Sequence, residues 1–271
     1  MRKRQTASDA VDNAGTAATL TRGLEILRAF GAGDSTLGNQ DLIDRTGLPK
    51  ATISRLTATL IKLGYLHYNE QLGRYSIGPA TISLGYSALS SSPVVQMAVP
   101  LMQELADRSG VAAALGTRDG LEMVYLASCR SLAPVSLRLN VGSRLPIWNT
   151  AMGLAYLVGM MPEKRAELVE QIVHERPDLA DKIRRLVIEA EESFAERGFV
   201  STFGSWYSYI NAVGLAFRPT DGSPLVAITC GGIVDVLSRE ICLERTGPDL
   251  IRTADRLRAR LNGAAEPPLL P

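Results

Sequence analysis

A chain of 271 residues in which 46% are hydrophobic is long for one domain and apolar enough for two cores. Its net charge of +1 assigns no nucleic-acid, membrane or acidic partner by bulk electrostatics. No apolar run reaches the ~20 residues that cross a bilayer, and Met1-Arg2-Lys3-Arg4 leads into a polar, Ala-rich stretch, so no signal peptide is expected and the cytoplasm follows.

Residues 1–17 read as a disordered tail, with little to bury. Arg2, Lys3 and Arg4 form either a solvated end or an arm that brushes phosphates. Thr19 to Phe30 reads as a helix with an apolar stripe of Leu20, Leu24, Leu27 and Phe30. Arg22 sits early in it, an unfavourable place for a cation beside the helix dipole unless a phosphate is near. Asn39 to Arg45 reads as a second helix with Leu42 and Ile43 inward and Gln40 outward. Gly47-Leu48-Pro49 is a tight turn, and Pro49 suits the first turn of the helix after it.

That third helix is the informative one. Ile53, Leu56, Leu60 and Leu63 recur at helical spacing as a buried face. Lys50, Thr52, Ser54, Arg55, Thr59 and Lys62 show on the other face, and none is acidic. A helix that lies in a DNA major groove must avoid carboxylates, because phosphates repel them. Gly64 reads as a left-handed cap, and 65–68 with 74–77 as a two-stranded hairpin that carries Arg74. Helix, turn, helix and ribbon make a winged helix-turn-helix over 18–78.

Gly78-Pro79 breaks the chain, and 79–92 reads as a linker helix ending in a Ser-Ser-Ser-Pro hinge. Residues 93–262 read as a second, α+β domain. Val94 to Ser109 is an amphipathic helix; 111–116 and 121–128 are strands joined around Asp119-Gly120; 136–139 is a further strand. The segment 142–153 reads as a loop opening a helix, with Asn149 or Thr150 as cap and backbone N–H groups that suit an anion. Small Ala151 and Gly153 admit either a ligand or another backbone. Surface helices follow over 163–171 and 179–197, then strands over 211–217 and 225–230, a closing helix over 239–260 and a frayed tail at 263–271.

Three segments, Leu20-Thr21-Arg22-Gly23-Leu24-Glu25-Ile26-Leu27, Thr46-Gly47-Leu48-Pro49-Lys50-Ala51-Thr52-Ile53-Ser54-Arg55-Leu56 and Gly73-Arg74-Tyr75-Ser76-Ile77-Gly78, resemble the IclR family of bacterial transcriptional regulators. So does Gly142-Ser143-Arg144-Leu145-Pro146 followed by Thr150-Ala151-Met152-Gly153, and the resemblance spans roughly 19–261. It implies a GAF-like effector-binding domain, a linker helix that packs on a partner subunit, and a homodimer or dimer of dimers on double-stranded operator DNA. It also implies that Arg22, Gln40, Lys50, Thr52, Ser54, Arg55 and Arg74 face DNA. Ala51 stands where Ser is common, and Ser54 where a larger side chain is common. Base discrimination is therefore expected to lean on Lys50, Thr52 and Arg55, with more weight on DNA shape.

Carried over in the same way, the effector pocket draws on Leu145, Ala151, Met152, Thr202, Ala212, Thr229 and Gly231. Thr202 replaces a common Asp, Ala212 a Cys and Gly231 a Ser, so the pocket is expected to be larger and less polar. Phe203, Trp206, Tyr207 and Tyr209 crowd the next loop. Either they pack among themselves or on a partner, or Trp206 lines a mouth for an aromatic or hydrophobic effector.

No cofactor or metal is implied. Cys129, Cys230 and Cys242 lack ligand spacing and read as small buried residues. An enzyme is not expected: the two histidines, His67 and His174, sit in no catalytic motif, and Gly85-Tyr86-Ser87-Ala88 lacks the final Gly of a nucleophile elbow. The alternative kept open is a DNA-binding protein whose second domain has lost its ligand and serves only oligomerisation.

Overall fold

The computed structural model describes residues 18–31, 33–133, 137, 139–220 and 222–263. The expected N-terminal tail, most of the C-terminal tail and half of the expected 136–139 strand lie outside them. The chain divides into two compact units, Met1–Ala88 and Leu89–Pro271.

In the first unit, α1 (Ala18–Arg28), α2 (Asn39–Thr46) and α3 (Lys50–Lys62) precede β1 (Leu66–Asn69) and β2 (Arg74–Ile77). Ile26, Leu37, Leu42, Ile53, Leu56, Leu66 and Tyr75 form one core. Leu37 adds a one-residue bridge on the outer edge of β2, exchanging backbone hydrogen bonds of 2.8 and 2.7 Å with Tyr75. Pro49 precedes α3 in extended backbone instead of entering its first turn, and Gly64 follows it at a φ of 77°.

The expected apolar stripes are partly displaced. Leu20 and Leu24 are 64% and 51% exposed, while Gly23 and Ile26 are buried. α1 carries apolar residues on two adjacent stripes, and it packs through the one that holds Ile26, with Leu27 and Phe30 beside it. Leu63 is also exposed. α4 (Pro79–Ser90) is anchored through its first turn, where Ala80 donates to the Gly64 carbonyl and Thr81 Oγ1 to that of Tyr65. None of its residues is buried, and Ile82, Leu84 and Tyr86 stand in solvent.

The second unit is built on a six-stranded antiparallel sheet of order β5-β4-β3-β8-β7-β6. The strands are β3 (Ala112–Asp119), β4 (Glu122–Cys129), β5 (Arg144–Pro146), β6 (Val200–Phe203), β7 (Ile210–Phe217) and β8 (Val226–Ile233). α5 (Pro93–Ser109) and the closing helix α10 (Gly247–Leu261) pack on one face. α6 (Ala151–Val158), α7 (Pro162–Glu175) and α8 (Ala180–Arg197) cover the other. The unit is α+β, as expected.

Three local expectations change. Leu137 and Leu139 are not in a strand; the edge strand is β5, inside the segment read as a loop. Arg144 makes it so, bonding Glu122 at 2.5 Å and Asp119 at 2.9 Å across the β3–β4 hairpin. The closing helix is interrupted: α9 (Arg239–Ile241) runs into a π-helical turn at Cys242–Thr246 before α10. Gly247 there lies against the Phe199 ring, where any side chain would collide.

Candidate functional site

In the first unit the exposed residues of α3 include Lys50, Ala51, Ser54, Arg55, Ala58, Thr59 and Lys62, with Thr52 half-buried beside them. Lys50, Arg55 and Lys62 make no ion pair with any described residue. Most surface arginines of the second unit are paired, as Arg144, Arg165, Arg184 and Arg258 show. A helix face that carries cations and no carboxylate is chemically matched to a polyanion. Thr57 faces inward, its hydroxyl donating to the Ile53 carbonyl at 2.9 Å.

The other expected DNA-facing residues divide. Arg22 is exposed on α1. Gln40 is exposed, and its amide donates to Asp44 Oδ1 in the same helix at 2.8 Å. Arg74 is held within the unit. Its Nε donates to Thr36 Oγ1 at 2.9 Å and its Nη2 to Asp41 Oδ2 at 2.7 Å, tying the wing to the start of α2. That carboxylate also accepts from the Gly38 N–H at 2.8 Å. The Gly38 hydrogen bond, then the Arg74 charge, hold Asp41 below its ordinary pKa of 3.8. Arg45 does the same for Asp34, which it bonds through both carboxylate oxygens.

In the second unit a partly enclosed cavity forms where α6 meets the sheet. Leu145, Ala151, Met152, Thr202, Trp206, Ala212, Thr229 and Gly231 all line it. These are the eight residues singled out from the sequence for effector binding. Strand register explains the convergence. Thr202, Ala212, Gly231 and Ala112 form one cross-strand row over β6, β7, β8 and β3. Thr229, Ala114 and Ser128 form a second over β8, β3 and β4. Small residues in both rows leave a hollow floor. α6 closes over it because Gly214 and Gly116 are bare: a side chain there would strike the Ala151 carbonyl and Met152 Sδ, each at 2.5 Å.

The small residues of the helix opening now separate. Gly153 lies under the backbone of Ile147, where a Cβ would come within 2.1 Å of its carbonyl oxygen, so it serves packing. Ala151 faces the cavity. Thr150 is the cap, accepting from the Gly153 N–H at 3.2 Å. Asn149 instead tethers the aromatic loop: its carbonyl accepts from Ser205 Oγ at 2.7 Å, while its buried Oδ1 has no partner.

Trp206 alone of the four loop aromatics joins the cavity. Tyr207 and Tyr209 stack on each other in solvent at 5.6 Å, and Phe203 lies under the Arg239 guanidinium at 4.3 Å. The cavity is tight, with a volume of about 40 Å³. The enlargement expected from Gly231 is taken up by Leu137, whose Cδ1 lies 3.4 Å from where a Cβ would stand.

Sequence reasoning missed Tyr125, Ser128, Leu137, Leu139 and Ile210, which also line the cavity. Tyr125 and Ser128 reach the same space because the β3–β4 register slips between Leu115 and Gly116, leaving Leu126 unpaired. A bulge of this kind re-aims side chains that strict alternation would place on opposite faces. Burial holds the Tyr125 phenol well above its ordinary pKa, so it stays protonated and can donate. The three cysteines are buried and unpaired in disulfides; burial pushes the Cys230 and Cys242 thiols up to about 12, which makes them unreactive.

The chain matches the profile of the IclR helix-turn-helix domain over residues 19–70 and that of the bacterial transcriptional regulator IclR C-terminal domain over 86–258. It is 31% identical over 254 residues to the HTH-type transcriptional regulator TsaQ1/TsaQ2 of Comamonas testosteroni, covering 93% of this chain and 91% of that one. An IclR family transcriptional regulator from Brucella abortus superposes with a TM-score of 0.83 at 34% identity, covering 94% of this chain and 96% of that one. An IclR homolog from Microbacterium hydrocarbonoxydans complexed with 4-hydroxybenzoate shares the fold, with a TM-score of 0.70 at 22% identity over 91% of this chain and 100% of that one.

Proposed function

The chain belongs to the IclR family, DNA-binding transcriptional regulators with a C-terminal effector domain and not enzymes, and from that premise we propose that a small aromatic or hydrophobic acid, held in the α6 cavity, sets its affinity for operator DNA. The observation that carries this is the convergence of Leu145, Ala151, Met152, Thr202, Trp206, Ala212, Thr229 and Gly231 on one partly enclosed space. No charged side chain among the described residues lines it. The first-turn N–H groups of α6 border it and suit a carboxylate. The complex of the Microbacterium homolog with 4-hydroxybenzoate is a parallel within the same fold. Lys50, Thr52, Ser54 and Arg55 meet DNA from α3, with Arg22 and Gln40 beside them; Arg74 sets the wing that flanks them.

The cavity's tightness means that an effector must select or widen a more open form, displacing Leu137 or Trp206. That coupling between filling the cavity and moving its walls is what a regulator needs. A homodimer or dimer of dimers is proposed from the exposed apolar side chains of α4 and α1, which no described residue covers.

The test is to titrate small aromatic and aliphatic carboxylates into the purified chain bound to its operator. At least one aromatic acid is expected to change DNA affinity by about five-fold or more, and Trp206→Ala to weaken its binding about tenfold. Equal affinity in the Trp206 variant would remove the loop from the site. The tightness of the cavity also favours a second reading, in which the domain has lost its ligand and serves only oligomerisation. Operator affinity indifferent to every acid tested would support that one.

A further inference from the structure

Five side chains that line the cavity carry hydroxyl groups: Tyr125, Ser128, Thr150, Thr202 and Thr229. Three are committed. Ser128 donates to the Leu139 carbonyl at 2.9 Å, Thr150 to that of Pro146 at 2.8 Å and Thr229 to that of Val213 at 2.6 Å. Tyr125 and Thr202 are only 7% and 8% exposed, and neither hydroxyl makes a hydrogen bond to a described residue. Neither is sealed off, since among the described side chains only Asn149 Oδ1 is fully buried without a partner; each of the two hydroxyls is therefore open to a water or a ligand atom. Two in one apolar cavity, beside three that found partners, indicate a place kept for a ligand atom.

Their positions add a direction. Thr202 is on β6, at one end of the floor, and Tyr125 is on β4, near the other. Neighbouring strands lie about 4.8 Å apart, so the two do not share one ligand atom; they mark different ends of the space. Tyr125 comes from the strand that pairs with β5, on the side of Leu145, whereas Thr202 sits on the side of Trp206. Phe at 125 or Val at 202 would fill the same volume, so packing alone does not require either hydroxyl.

We propose that Tyr125 is a specificity-determining residue of this cavity: its hydroxyl pairs with a neutral hydrogen-bonding substituent, such as a ring hydroxyl, on an otherwise apolar effector, and Thr202 makes the corresponding contact at the opposite end. This rests on the cavity being the effector site. It goes further in assigning the ligand's polar decoration and the residue that reads it. A site built to pair with a hydroxyl discriminates strongly against an analogue without one, because its own group is then left unpaired.

The experiment uses the full chain and matched probes: benzoate, 3-hydroxybenzoate and 4-hydroxybenzoate, titrated by calorimetry with Trp fluorescence alongside. In the unsubstituted protein at least one hydroxybenzoate is expected to bind about tenfold or more tighter than benzoate. In Tyr125→Phe that ratio falls to near one while benzoate affinity stays within about twofold, and the ligand-free melting temperature does not drop, since the hydroxyl removed was unpaired. Thr202→Val is the second variant and should relax preference without abolishing benzoate binding. A ratio preserved in both variants overturns the inference and leaves the aromatic-effector reading standing. Equal binding of all three probes to the unsubstituted protein does the same. If none of the three binds, the aromatic reading of the cavity falls, and the inference with it.

Discussion

The residues expected to meet DNA differ in what they are free to do. Lys50 and Arg55 pair with no carboxylate among the described residues, and can engage a phosphate or a base edge without first breaking an ion pair. Arg74 is held by Thr36 and Asp41, so its part is to position the wing. That clamp makes a prediction about acid. Asp41 titrates below its ordinary 3.8, chiefly through the Gly38 N–H and then through Arg74. A depressed carboxyl contributes stability that is present above the ordinary value and is lost as pH falls through the folded one. Melting of the winged unit should therefore fall off below about pH 4, and Asp41→Asn should flatten part of that slope. Identical acid profiles for the two proteins would show that the clamp holds nothing in place.

At the scale of elements, the junction of α6 with the sheet decides whether there is a site at all. Gly153 has the Ile147 backbone where its side chain would be. Gly153→Ala should cost about 1–3 kcal/mol by overpacking, read as a lower melting temperature of the effector unit; an unchanged one would mean that α6 can shift freely. α4 makes the complementary prediction. Its Ile82 and Tyr86 are 68% and 71% exposed, so Ile82→Glu should shift the chain towards monomer in sedimentation, and an unaltered oligomer would clear α4 of the interface. Much of this was legible in the sequence. Helical spacing located α2 and α3; the resemblance placed seven of the cavity residues, among them Ala212, Thr229 and Gly231 whose face follows from alternation along β7 and β8, and the crowding of aromatics added Trp206. Other parts were not legible. Ser128 comes onto the face of Tyr125 only because of a bulge, which leaves no mark in a period-two pattern. β5 depends on Arg144 reaching two carboxylates more than twenty positions away. Leu20 and Leu24 read as core because a single helix cannot say which of two apolar stripes its neighbours will take.

The whole molecule pairs a cationic, carboxylate-free helix face in one unit with a tight, uncharged cavity in the other. Neither feature alone makes a regulator. The first gives attraction to any duplex unless Lys50, Thr52 and Arg55 read bases, and the second gives binding without consequence unless filling it alters the DNA-bound population. Genomic fragments should be selected on the purified full chain and on its Lys50→Ala variant, and the retained DNA sequenced. The account predicts that the unsubstituted protein enriches one or a few sites bearing an inverted repeat. Lys50→Ala should lose that preference by roughly 1–3 kcal/mol, or five-fold and upward, as expected for a base-reading contact. Diffuse, salt-sensitive enrichment, or the same sites retained equally by the variant, would contradict it.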